Sequence, residues 1–107
     1  MSNETVNEWL RNKGLSNTDI DFIETLLTFT STAKRLSSKL DEINQRFQSL
    51  FPDKKAEINP NLTFWKFEKL LQGNVLFIDL NEMLNRYKAQ GLCVDLCNQL
   101  LESQLKK

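Results

Sequence analysis

Residues 22–50 read FIETLLTFTSTAKRLSSKLDEINQRFQSL, and within them Phe22, Leu26, Phe29, Ala33, Leu36, Leu40, Ile43, Phe47 and Leu50 recur at spacings that alternate between four and three. An average spacing of 3.5 is the period of a helix whose apolar seam stays turned toward a neighbouring helix. The seam predicts a single helix over 17–50, roughly 50 Å long at 1.5 Å per residue. Its flanks lack the opposite charges that pair a two-stranded zipper, and Phe22, Phe29 and Phe47 are bulky for a tight seam. The stripe therefore fits a helix in a bundle core. The weak helix formers Thr28-Phe29-Thr30-Ser31-Thr32 mark the place where such a rod would bend.

Working outward, Gly14 with Leu15 behind it matches the left-handed stop that ends a helix, in which Leu15 turns back onto Leu10. A first helix over 4–13 is expected, starting near Asn3, with Val6, Trp9, Leu10 and Lys13 on one face. Ser16 with Asp19 three residues on is an N-cap pattern that opens the long helix. Pro52 to Pro60 is the one loop of any length, and Asn59-Pro60-Asn61 forms a turn before Asn61 or Thr63 caps a third helix over 62–72. Phe64, Phe67, Leu70 and Leu71 are expected on one side with Trp65 beside them, and the aromatic cluster is read as core, because aromatic side chains carry the largest buried area in a small domain. Val75-Leu76-Phe77-Ile78 is read as the buried start of a helix over 75–90, with Leu80, Met83, Leu84 and Tyr87 following. Gly91-Leu92 repeats the stop of Gly14-Leu15, and a last helix over 93–105 ends in Lys106-Lys107, which suit the negative end of its dipole.

These elements make an all-α fold, an elongated antiparallel hairpin or bundle of four to five helices in a single domain over 1–107. In the expected arrangement 16–51 lies antiparallel to 74–107, with the first and third helices along the flanks. Lysine plus arginine equals aspartate plus glutamate at 14 each, so no global field draws the chain to nucleic acid or an anionic membrane. Residues 1–30 carry Glu4, Glu8, Asp19, Asp21 and Glu24 against Arg11 and Lys13, a mild local gradient. No stretch has the apolar length of a membrane span, and the start lacks the pattern of a secretion signal, so a cytoplasmic location is expected.

The chain has no histidine, which removes the commonest general base and zinc ligand, and its two cysteines, Cys93 and Cys97, cannot complete a tetrahedral site. At i, i+4 they read as core filler. No phosphate loop, calcium loop or Cys-x-x-Cys pair is present. The expectation is a protein that is not an enzyme, with no cofactor, metal or small-molecule substrate, acting through an apolar helix face on a protein partner or a second copy of itself. Phe29, Leu36, Leu40, Ile43 and Phe47 are the expected contact, because the two short helices look insufficient to cover the far part of a long hairpin. The competing class is a small nucleic-acid-associated regulator using a basic edge of Lys34, Arg35, Lys39, Arg46, Lys54 and Lys55. Asp41, Glu42 and Asp53 interrupt that edge, which disfavours nucleic acid.

Overall fold

A computed structural model describes residues 4–75 and 77–105. The expected start at Asn3, the stripe position Leu76 and the terminal pair Lys106-Lys107 lie outside the described residues. The fold is all-helical: α1 Val6–Asn12, α2 Asn17–Arg35, a single 3-10 turn Ser37–Lys39, α3 Leu40–Leu50, α4 Phe64–Gln72, α5 Leu80–Gln90 and α6 Val94–Ser103. It measures 44 × 30 × 24 Å.

The seam of residues 22–50 is not one rod. At Leu36 the backbone leaves the helix (φ −127°, ψ 59°), and α3 turns back along α2. Phe47 then meets Phe22 at 5.7 Å and Phe29 at 6.0 Å between ring centroids. In an unbroken helix Phe22 and Phe47 would stand about 38 Å apart. The heptad stripe is thus closed on itself: the helix that shelters each half is the other half. The break falls at Leu36, just before Ser37-Ser38, two residues of modest helix propensity, and not at Thr28 to Thr32. In that stretch the hydroxyls of Thr28, Thr30 and Thr32 donate back to the carbonyls of Glu24, Leu26 and Thr28, so the helix continues with its hydroxyls satisfied.

The helix stops form as the local sequence predicts. Leu15 N–H donates to Leu10 C=O at 3.2 Å and Gly14 N–H to Arg11 C=O at 2.9 Å, with Gly14 at φ 98°. Leu92 N–H donates likewise to Tyr87 C=O, with Gly91 at φ 83°. Both glycines occupy the left-handed region that a Cβ disfavours. Ser16 caps α2 by accepting from Asp19 N–H, Thr63 caps α4 by accepting from Lys66 N–H, and Thr5 with Glu8 forms a full capping box on α1.

Among the described residues six α-helices stand where four to five were expected, because the long helix is divided at Leu36, and two further expectations differ. The helix expected over 75–90 begins at Leu80, where Asp79 accepts from Glu82 N–H. Val75, Phe77 and Ile78 are not helical, and Phe77 is 82% exposed. The reason is Asn74, whose amide is drawn away to Lys55 and Leu70 and cannot cap a helix that would start beside it. Nor does 16–51 pair lengthwise with 74–107: α2 packs on α3 and α5 on α6, with α1 against α2 and α5 and α4 against α6.

The buried side chains form one cluster, running from Val6, Trp9 and Leu10 through Phe22, Leu26 and Phe47 to Phe67, Met83, Leu84, Tyr87 and Leu100. Burying each such large apolar side chain contributes about 2–3 kcal/mol. Ile58 carries the 51–63 loop into the cluster, and its backbone is held on both sides by Asn44, whose Nδ2 donates to Ile58 C=O at 3.2 Å and whose Oδ1 accepts from Ile58 N–H. Asn44→Ala leaves both groups without a partner and is expected to cost about 1–3 kcal/mol. Urea unfolding measures the loss, and hydrogen exchange at the Ile58 amide should rise with it; an unchanged exchange rate would count against this pin.

Candidate functional site

The five residues expected to touch a partner are brought together, but mostly against the chain's own core. Phe47 is 1% exposed, enclosed by Phe22, Phe29 and Phe51. Phe29, Leu40 and Ile43 are half-buried against the same cluster. Of the five only Leu36, at the hairpin's corner, is exposed, at 51%. Leu50, one heptad after Ile43 and so on the same edge of α3, is exposed as far. The open apolar face of the sequence reading shrinks to this narrow edge because the seam found its partner within the chain.

The basic edge is also cut short. Lys34, Arg35, Lys39 and Arg46 are exposed, with Lys39 at 3.9 Å from Glu42. Lys54 turns inward instead. Its Nζ pairs with Asp19 Oδ1, donates to Asn74 C=O at 2.8 Å and lies 5.4 Å from the centre of the Phe22 ring. It ties the loop to the start of α2 and the end of α4, and its charge is spent there.

On the other side of that lysine the surface opens into a groove of about 1020 Å³, between α4 and the loop that follows α3. One wall is a second face of α4. Lys66, Lys69, Leu70 and Gly73 stand at i, i+3, i+4 and i+7 and line the groove, while Phe64, Phe67 and Leu71 face the core. The other wall is the loop, with Pro52, Lys55, Ala56 and Glu57. Phe51, Leu62 and Leu70, half-buried or buried, give the floor its apolar character. Asn74 closes one end and clamps the walls together: Oδ1 accepts from Lys55 N–H at 2.8 Å, while Nδ2 donates to Lys55 C=O at 3.2 Å and to Leu70 C=O at 2.8 Å.

Among the described residues the lining carries no serine, cysteine, tyrosine or histidine, and Glu57 is its one carboxylate. The groove has an apolar floor and a cationic rim. The chain's thiols lie elsewhere. Cys97 is fully buried and donates to Leu92 C=O at 3.7 Å. Burial pushes its thiol up to about 12, with Cys93 adding to the rise and Lys88 opposing it. Burial, then Glu24, likewise raises half-buried Cys93 and the phenol of Tyr87. All three stay protonated near neutral pH, and a thiol held protonated is a poor nucleophile. Among the described residues no group of three or more His, Cys, Asp or Glu side chains gathers as a metal site would need, and no helix is long and apolar enough to cross a membrane.

The groove escaped the sequence reading. The spacing of Lys66, Lys69, Leu70 and Gly73 was a legible signal, overshadowed by the aromatic stripe on the same helix. The opposite wall had no signal, since Asn74 and Lys55 meet across nineteen positions of chain. Compared with protein-family models, curated proteins and solved structures, the chain matches none.

Proposed function

We propose that the chain is a non-enzymatic protein-interaction module that takes a segment of a protein partner into the groove between α4 and the 51–63 loop. The observation that carries this reading is the groove itself, apolar at its floor, clamped by Asn74 and about 1020 Å³ in volume. Sites for small molecules span roughly 300–1,000 Å³ and enclose most of their ligand. A trough at the top of that range, open along one side, suits a helix or an extended peptide laid into it. Self-association through the α3 edge has less support, because Leu36 and Leu50 are the large apolar side chains exposed there, each by about half, while Phe47 is enclosed. The nucleic-acid reading loses Lys54 to Asp19.

Selection of binders from a random twelve-residue peptide display library, followed by amide shift mapping, tests the reading. Selected peptides should perturb residues 51–73 and lose binding to Gly73→Leu. That substitution is unstrained, since Gly73 has φ −85° and an added Cβ meets nothing closer than 3.8 Å, yet it places four carbons in the trough. Failure to select any binder, or binders that map elsewhere and ignore Gly73→Leu, overturns it.

A further inference from the structure

We infer that the groove selects an acidic amphipathic segment, one whose apolar side chains settle on Phe51, Leu62 and Leu70 while its carboxylates meet Lys55, Lys66 and Lys69. The inference rests on the groove being a peptide site and adds the chemistry of the occupant. The ion pairs among the described residues join Lys39 to Glu42, Lys54 to Asp19, and Arg86 to Glu4 and Glu82. Lys55, Lys66 and Lys69 are in none of them, and all three are exposed on the groove's rim. With Lys54 already neutralised by Asp19, three uncompensated cations face one lining carboxylate, Glu57.

Their placement is as informative as their sign. Lys66 and Lys69 are one turn apart on α4, the spacing at which carboxylates three or four residues apart on a partner helix could meet both. Lys55 stands on the opposite wall with its backbone fixed at both N–H and C=O by the Asn74 side chain. The place on the wall from which its side chain reaches out is therefore set before anything binds. An acidic helix lying along the trough would have cations on both flanks and Leu70 and Leu62 beneath it. A single nucleic-acid strand fits less well. Strand binders stack bases on open aromatic faces, whereas Phe51, the floor's aromatic ring, is half-buried and already packed edge-on to Phe22 at 5.7 Å and against Phe47 at 5.5 Å.

The test uses the full chain and three synthetic sixteen-residue helical peptides with one leucine stripe and flanks of Glu, Gln or Lys, titrated by fluorescence anisotropy, with a dT oligonucleotide as a fourth probe. Three exposed ion pairs, each weak, should together favour the Glu peptide over the Gln peptide by about tenfold at low salt. The gap should close as salt rises to about 0.5 M, where charges are screened within a few ångströms. The double variant Lys66→Glu with Lys69→Glu changes two exposed side chains, should melt within a few degrees of the parent, and should invert the order so that the Lys peptide binds best. Equal affinity for the Glu and Gln peptides overturns the inference and leaves the peptide site standing. So does failure of all three peptides while library binders sensitive to Gly73→Leu are still selected. Oligonucleotide that binds more tightly than the Glu peptide and displaces it also overturns it. Absence of any groove binder, synthetic or selected, removes the underlying reading as well.

Discussion

Phe47→Ala is expected to cost about 3–5 kcal/mol of folding stability, the range for removing a fully buried aromatic ring. Domains of this size are held by about 5–15 kcal/mol in total, so the variant should stand near the edge of folding at 37 °C. The ring is the closing contact of the α2–α3 hairpin. It touches Phe22, Phe29 and Phe51 at once, with centroid separations of 5.7, 6.0 and 5.5 Å, and it is 1% exposed. Its removal takes apolar area from all three neighbours and leaves a void that the backbone of two helices cannot collapse to fill. Leu36→Ala supplies the comparison. Leu36 belongs to the same heptad stripe but sits at the corner, half exposed, and its truncation should cost under about 1 kcal/mol. Urea unfolding followed by circular dichroism measures both. Equal losses at the two positions would mean that the stripe is sheltered evenly along its length, which a hairpin turning at Leu36 does not allow.

The contrast between Phe47 and Leu36 shows where the sequence stops being informative. A period of 3.5 demands that the stripe be covered, and that demand was legible. It leaves open whether another chain, another helix or the second half of the same helix does the covering. The answer hung on Ser37-Ser38, two residues with modest helix propensity and no glycine or proline beside them. The threonine stretch at 28–32 was the weaker sequence by propensity and still formed helix, because its hydroxyls found the carbonyls one turn back.

Features built from contacts a few residues apart were readable: the stops at Gly14-Leu15 and Gly91-Leu92, the cap at Ser16, the turn at Asn59. Each is closed by a hydrogen bond spanning five residues or fewer. The groove belongs to the other kind. Lys54 reaches Asp19 across thirty-five positions, and Asn74 reaches Lys55 across nineteen. Neither residue carries a local sign of its partner. Asn74 looks like the first residue of a helix, and Lys54 looks like part of a basic run. Their long-range bonds override both readings, removing one from the helix and the other from the cationic edge. The candidate site is a by-product of those two bonds, which explains why a reading confined to helical periodicity placed the contact surface on α2 and α3.

Alkaline pH should unfold the protein, and Cys97 should account for much of the effect. The folded chain holds this thiol protonated up to about 12, against 9.0 for the unperturbed group, chiefly because it is buried. The unfolded chain therefore releases the proton first as pH rises, and above pH 9 it binds fewer protons than the native state. Stability must then fall with increasing pH. The contribution is fully present below about pH 9 and is lost progressively between 9 and 12. At about 1.4 kcal/mol per pH unit, Cys97 alone should lower stability by roughly 3 kcal/mol between pH 8 and pH 11. Tyr87 acts in the same direction from about pH 10 upward, since burial raises its phenol too. Its hydroxyl is buried without a hydrogen-bond partner among the described residues, so ionisation there has nothing to stabilise it. Urea midpoints measured from pH 7 to 11 under reducing conditions, for the parent chain and Cys97→Ala, separate the two groups. The variant loses a small buried side chain and starts lower by about 1 kcal/mol, but its stability should fall less steeply through pH 9–11, and above pH 10 the two curves should converge or cross. Parallel curves over the whole range would show that the thiol ionises as readily in the native protein as in the unfolded chain, and the close packing of α6 on α5 around Cys97 would have to be given up.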